Sequence, residues 1–144
     1  MKKHTQESVL EFFLKKCKEY RLRVTPQRIS IYQELVKAKD HPSAEKMYQR
    51  LKGRFPHLSF DTVYRTLLTF AEIGLAHPVE GSGSPRRFDP FLTPHHHMHC
   101  IRCDTIFDFH EESYDKLKVP DNIRKKFNIL NKKVVLEGIC RKCR

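Results

Sequence analysis

Four amphipathic segments fill the first half of the chain. Behind a capping Thr5, the residues Val9, Phe12, Phe13 and Cys17 recur at helical spacing. Thr25-Pro26 sets a capping hydroxyl ahead of a first-turn proline, and Ile29, Tyr32, Leu35 and Val36 then line one face until Asp40 to Pro42 ends the pattern. Ser43 opens a third segment with Ala44, Met47, Tyr48 and Leu51 inward, closing near Gly53 and Pro56. The fourth starts at Ser59, carries Asp61 where the helix dipole favours an acid, and runs to about Glu72 before Gly74. Its apolar stripe is Val63, Leu67, Phe70 and Ala71, which leaves Thr62, Arg65, Thr66 and Thr69 as a basic, hydroxyl-rich face suited to phosphates and base edges.

After Gly74 the pattern changes. Leu75 to Val79 and Arg86 to Phe88 are predicted strands joined by the turn Gly81-Ser82-Gly83-Ser84-Pro85. Helices followed by a β-hairpin describe a winged helix. The Gly-Ser turn lacks the G-x-x-x-x-G-K pattern and the strand-to-helix context of a phosphate loop. Pro90 to Pro94 breaks the periodicity, so the expected domains are 1–89, a hinge at 90–94, and 95–144. Beyond the hinge, strands are expected at Met98 to Ile101, Thr105 to Phe109 and Val134 to Ile139, with a short helix from Glu111 to Leu117. The fold class is α+β: an N-terminal winged helix-turn-helix and a small C-terminal α/β domain.

Composition sharpens this picture. In 144 residues, 28 Lys and Arg face 17 Asp and Glu, a formal charge of +11 that points to a polyanionic partner. With that charge, the three-helix lead and the hairpin, the exposed face of the fourth segment reads as a major-groove binder of double-stranded DNA. No apolar run of membrane-spanning length occurs and the start is charged, so a cytoplasmic protein without a membrane partner is expected.

Four of the five cysteines form two C-x-x-C pairs, Cys100/Cys103 and Cys140/Cys143. Two such turns supply the four thiolates of a closed structural zinc site, with redox thiols as the competing reading. Cys17 has no partner in the pattern and is expected to be buried as a small apolar residue. Ahead of Cys100 stands His95-His96-His97-Met98-His99. In an extended strand His95, His97 and His99 share one side and His96 takes the other. Asp89, Asp108 and His110 lie near in sequence, and a mixed imidazole and carboxylate site suits Fe2+ or Mn2+. A small metal-dependent hydrolase is disfavoured, because neither H-E-x-x-H nor the deaminase arrangement before P-C-x-x-C is present; an enzyme is not expected. A zinc-ribbon interaction module would leave the other ligand candidates unused.

Arg23-Val24-Thr25-Pro26-Gln27-Arg28, His41-Pro42-Ser43-Ala44, Thr62-Val63-Tyr64-Arg65-Thr66-Leu67, Arg87-Phe88-Asp89, the histidine stretch, Asp108-Phe109-His110 and the final C-x-x-C agree in order and spacing with one family. The chain resembles the ferric uptake regulator (Fur) family of metal-dependent repressors, and most of all its peroxide-sensing branch. That resemblance implies a homodimer on an inverted-repeat operator, a dimerisation domain with structural Zn2+ on Cys100, Cys103, Cys140 and Cys143, and regulatory Fe2+ or Mn2+ on His41, Asp89, His95, His97 and Asp108. It implies peroxide oxidation at His41 and His95 in the iron form, and DNA contacts from Thr62, Tyr64, Arg65 and Thr66. Aspartate at 108, where iron sensors carry glutamate, favours the peroxide branch over a repressor sensing iron, manganese or zinc availability. Pro94 and Lys132 depart from the pattern at an auxiliary metal site, so a third metal is not expected.

Overall fold

The computed structural model describes residues 6–79, 86–90, 95–129 and 132–144. The chain divides into two compact units, Met1–Leu92 and Thr93–Arg144. The expected Thr5 cap, the Gly81 to Pro85 turn and hinge positions 91–94 lie outside the described residues.

The first unit holds helices α1 (Gln6–Glu19), α2 (Pro26–Lys37), α3 (Ala44–Leu51) and α4 (Phe60–Glu72). Three start at hydroxyl caps: Thr25, Ser43 and Ser59 accept from the amides of Arg28, Lys46 and Thr62 at 3.2, 3.3 and 3.1 Å. Each satisfies a donor that the first turn leaves without a helical partner. Helix α4 stops where Gly74 takes a left-handed φ of 81° and Leu75 N–H returns to the Phe70 carbonyl at 2.8 Å. Strands β1 (His77–Val79) and β2 (Arg87–Asp89) then pair antiparallel, with Pro78 opposite Phe88. This is the winged-helix order expected from the sequence.

Apolar stripes from all four helices meet in one core. Phe13 stacks on Tyr32 at 5.0 Å between ring centroids, and Phe70 meets both rings edge-on. Cys17 is fully buried in this cluster, as its spacing implied, and burial raises its thiol pKa.

The second unit is a three-stranded sheet of order β4-β3-β5, made from β3 (His96–Cys100), β4 (Ile106–Phe109) and β5 (Val135–Gly138). Strand β3 runs antiparallel to β4 and parallel to β5, which places the second C-x-x-C beside the first. Two four-residue helices, α5 (Glu112–Asp115) and α6 (Asp121–Arg124), lie in the connection between β4 and β5. The sequence reading contained α5 and missed α6. Strand β3 also begins two residues earlier than expected, so its first residues are histidines.

Candidate metal centres and nucleic-acid interface

The sulfurs of Cys100, Cys103, Cys140 and Cys143 all lie within 4.8 Å of one another. Zn–S bonds of about 2.3 Å in a tetrahedron require S···S edges of about 3.8 Å. Cys103 and Cys140 stand 3.8 Å apart, so the donor set fits zinc. The backbone prepares the charge. The Cys100 thiol is held down to about 6, first by the Cys103 amide and then by that of Cys140, whose N–H donates to Cys100 Sγ at 3.3 Å. Cys143 is pushed up to about 12, chiefly by the neighbouring sulfurs of Cys140 and Cys103. Four thiols this close cannot all ionise without a cation among them.

In the first unit, His41 Nε2 lies 3.7 Å from Asp89 Oδ2, and both residues are buried. Asp89 comes from the end of β2. His41 comes from the turn before α3 with φ of 49°, a left-handed conformation uncommon outside glycine. Arg87, two residues before Asp89 on the same strand, reaches back to that turn. Its Nε donates to the His41 carbonyl at 2.7 Å, and a terminal nitrogen donates to the Asp40 carbonyl.

In the second unit, the pleat separates the histidines as the alternation argument required. His97 stands opposite Asp108 in the β3–β4 register, and its Nε2 lies 3.3 Å from Asp108 Oδ1. His95 Nε2 is 3.1 Å from His97 Nε2 and 3.9 Å from the same carboxylate oxygen. Metal–nitrogen bonds of about 2.1 Å put adjacent ligand atoms about 3.0 Å apart at right angles and about 3.4 Å apart in a tetrahedron. Two imidazoles and one carboxylate are therefore spaced as partial ligands of one cation.

His96 points to the other side and is fully buried. Its Nδ1 accepts from Val134 N–H at 3.0 Å, and its Nε2 donates to Asp115 Oδ1 at 2.8 Å. The rings of Phe109 and Tyr114 pack against it. Both nitrogens are committed, so His96 pins β3 to α5 and to the entry of β5. His99 Nε2 meets Asp104 Oδ1 at 2.5 Å, while the His110 ring lies 6.4 Å from that of His95. Lys132 Nζ donates to the Leu117 carbonyl at 3.0 Å.

On α4 the exposed side is narrower than its sequence implied. Thr62 and Arg65 face solvent and Tyr64 is half-buried, but Thr66 is only 7% exposed. Thr66 Oγ1 donates to the Thr62 carbonyl at 2.7 Å, one turn back, which lets a threonine enter an apolar stripe. Its expected place on the binding face is corrected accordingly. Thr69 spends its hydroxyl proton the same way, on the Arg65 carbonyl at 2.9 Å. At the start of the helix Phe60 stacks on Tyr64 at 6.1 Å, and Arg65 Nε meets Asp61 Oδ2 at 3.0 Å.

Sequence reasoning assigned no role to Arg87, Asp104 or Asp115. Each acts on a histidine through a partner distant in sequence or a turn, and neither spacing nor composition signals that.

Known proteins agree with this architecture. The peroxide operon regulator of Bacillus subtilis is 34% identical over 130 residues, covering 90% of each chain. The peroxide-responsive repressor PerR of Staphylococcus epidermidis is 32% identical over 123 residues, covering 85% of this chain and 82% of its own. Among solved structures, the Helicobacter pylori ferric uptake regulator Fur, described as having three functional metal binding sites, superposes with a TM-score of 0.79 at 24% identity, covering 99% of this chain and 97% of that one. The family described as Ferric uptake regulator matches residues 19–137, and the chain belongs to it.

Proposed function

We propose that this protein is a metal-dependent transcriptional repressor that senses hydrogen peroxide. The observation that carries the reading is that each compact unit holds an incomplete ligand set. His41 and Asp89 lie in the first; His95, His97 and Asp108 lie in the second. Two imidazoles and one carboxylate in the second unit already make a three-ligand set of the kind that holds Fe2+ with open positions, and His41 and Asp89 would bring the nitrogen and oxygen donors to five. When bound, ferrous iron supplies the reduction of peroxide that puts an oxygen onto a ligand imidazole.

His41 and His95 are the proposed targets. Oxidation of either weakens it as a donor and frees the two units from a common orientation. Before oxidation, sharing one cation lets the five side chains fix where α4 points, and a ligand that favours one orientation shifts the population toward it. Thr62, Tyr64 and Arg65 then meet operator DNA. The names of the Bacillus and Staphylococcus relatives support the peroxide signal.

The protein acts as a homodimer on an inverted repeat, since one module reads only one half-site. Met98, Phe107 and Leu136, adjacent across β4, β3 and β5, expose between 42 and 45% of their surface, an apolar face for a second copy to cover. Structural zinc occupies the four cysteines. No described helix is long and apolar enough to cross a membrane, and the site of action is the cytoplasm.

Peptide mass spectrometry after anaerobic loading with Fe2+ or Mn2+ and a small excess of peroxide tests the signal. One added oxygen on His41 or His95, in the iron sample alone, is expected. Unoxidised histidines with iron demonstrably bound would turn the reading to a metal-availability repressor.

A further inference from the structure

Arg87 is almost fully buried, at 7% exposure, yet its guanidinium makes no direct contribution to a ligand set. It donates to the carbonyls of Asp40 and His41, which lie across the unit in the turn before α3. The same strand fastens this turn twice more. Phe88 N–H donates to the Pro42 carbonyl at 3.1 Å, and Arg87 forms an isolated antiparallel bridge with Ser43. Residues two apart on a strand share a side, so β2 offers both the arginine that grips the turn and Asp89, the carboxylate 3.7 Å from the His41 ring.

His41 is one of three described non-glycine residues with positive φ. Such a conformation persists where the surroundings over-determine it. A planar guanidinium presents its donors to two successive carbonyls in a fixed fork, whereas an ammonium is a point charge on a flexible stem and holds them less rigidly.

We propose that Arg87 is a positioning residue for the regulatory metal: by gripping the Asp40 and His41 carbonyls, it holds His41 in the left-handed conformation that sets its imidazole beside Asp89. This inference rests on the assignment of His41 as a metal ligand. It also opposes simple electrostatics. A buried cation near a metal site repels the metal, so removing its charge alone should tighten cation binding. Loss of a positioning partner should weaken it, and outer partners of metal ligands commonly govern 10- to 100-fold in affinity.

The test uses the zinc-loaded full chain titrated with Mn2+ alone, free Mn2+ being read by electron paramagnetic resonance. Arg87→Met and Arg87→Lys are both expected to weaken Mn2+ binding about 10- to 100-fold. In the Mn2+-free protein, both are expected to lose the strong amide-to-Hα cross-peak within His41 that marks positive φ. Unchanged or tighter Mn2+ binding by the methionine variant, or a His41 cross-peak that survives, would overturn the proposal. If Arg87→Met does not fold, Arg87→Lys gives the same two readouts. His41→Ala separates the two failures. If it leaves Mn2+ affinity unchanged, the ligand assignment falls and this inference with it; if it abolishes binding while Arg87→Met does not, the positioning role alone falls.

Discussion

Removing zinc should unfold the second unit and leave the first intact. The large apolar cluster, from Phe13 to Phe88, belongs wholly to Met1–Leu92. Among the described residues of Thr93–Arg144 the buried apolar side chains are Cys100 and Ile106, while Met98, Ile101, Phe107, Leu117, Phe127, Leu136 and Ile139 all stand exposed. Burying Ile106 contributes about 1.5–3 kcal/mol, whereas a structural zinc site couples about 10–16 kcal/mol of apparent binding energy to folding. A whole domain is ordinarily stable by about 5–15 kcal/mol, so within one protomer the metal term is as large as the stability of the entire unit, and covering of Met98, Phe107 and Leu136 by a second copy would add to it only in the dimer. Hydrogen exchange with peptide resolution, before and after a tight chelator under reducing conditions, reads both units at once. Peptides covering 96–109 and 135–143 should exchange as unfolded chain, and those covering 26–72 should keep their protection. Protection of 96–100 that survives, with metal analysis showing no zinc, would refute the reasoning and place the stability of the sheet elsewhere.

Two further outcomes are expected. Arg65→Ala should weaken operator binding about 5- to 150-fold, the value of one good base contact of about 1–3 kcal/mol, whereas Thr66→Val should change it less than about twofold because Thr66 is buried; equal losses in a fluorescence anisotropy titration would return Thr66 to the binding face. Zinc affinity, measured by chelator competition, should rise with pH through the neutral range because Cys143, pushed up to about 12, must surrender its proton to the metal. It should fall more steeply below about 6, where Cys100 is protonated too, and a pH-independent affinity would contradict the thiol assignments.

Local rules made much of this molecule legible. Thr25, Ser43 and Ser59 announce helix starts because a cap needs only its own first turn, and all three caps formed. The paired C-x-x-C spacing and the alternation of His95, His96 and His97 are equally local. What escaped depends on distant partners. The left-handed turn at His41 is held by an arginine 46 residues away, and the role of His96 is set by Asp115 and Val134 across the unit. Thr66 misled because periodicity counts it as polar, while its back-bonded hydroxyl lets it pack as though apolar. Helix α6 is a single turn held by bonds to the Pro120 carbonyl, too short to show a period.

The parallel pairing of β3 with β5 fixes an order of events at the ribosome. Cys100 and Cys103 emerge well before their partners, and 37 positions separate Cys103 from Cys140. At about 5–20 residues per second, that leaves about 2–7 s in which half a zinc site exists without its other half. Throughout that interval Cys100 also lacks the Cys140 amide that helps hold it as a thiolate. The helical core can close in the meantime from its own residues. A nascent chain thus carries a finished reading head on an unfinished sheet, and the zinc site can close only once the second C-x-x-C has arrived beside the first.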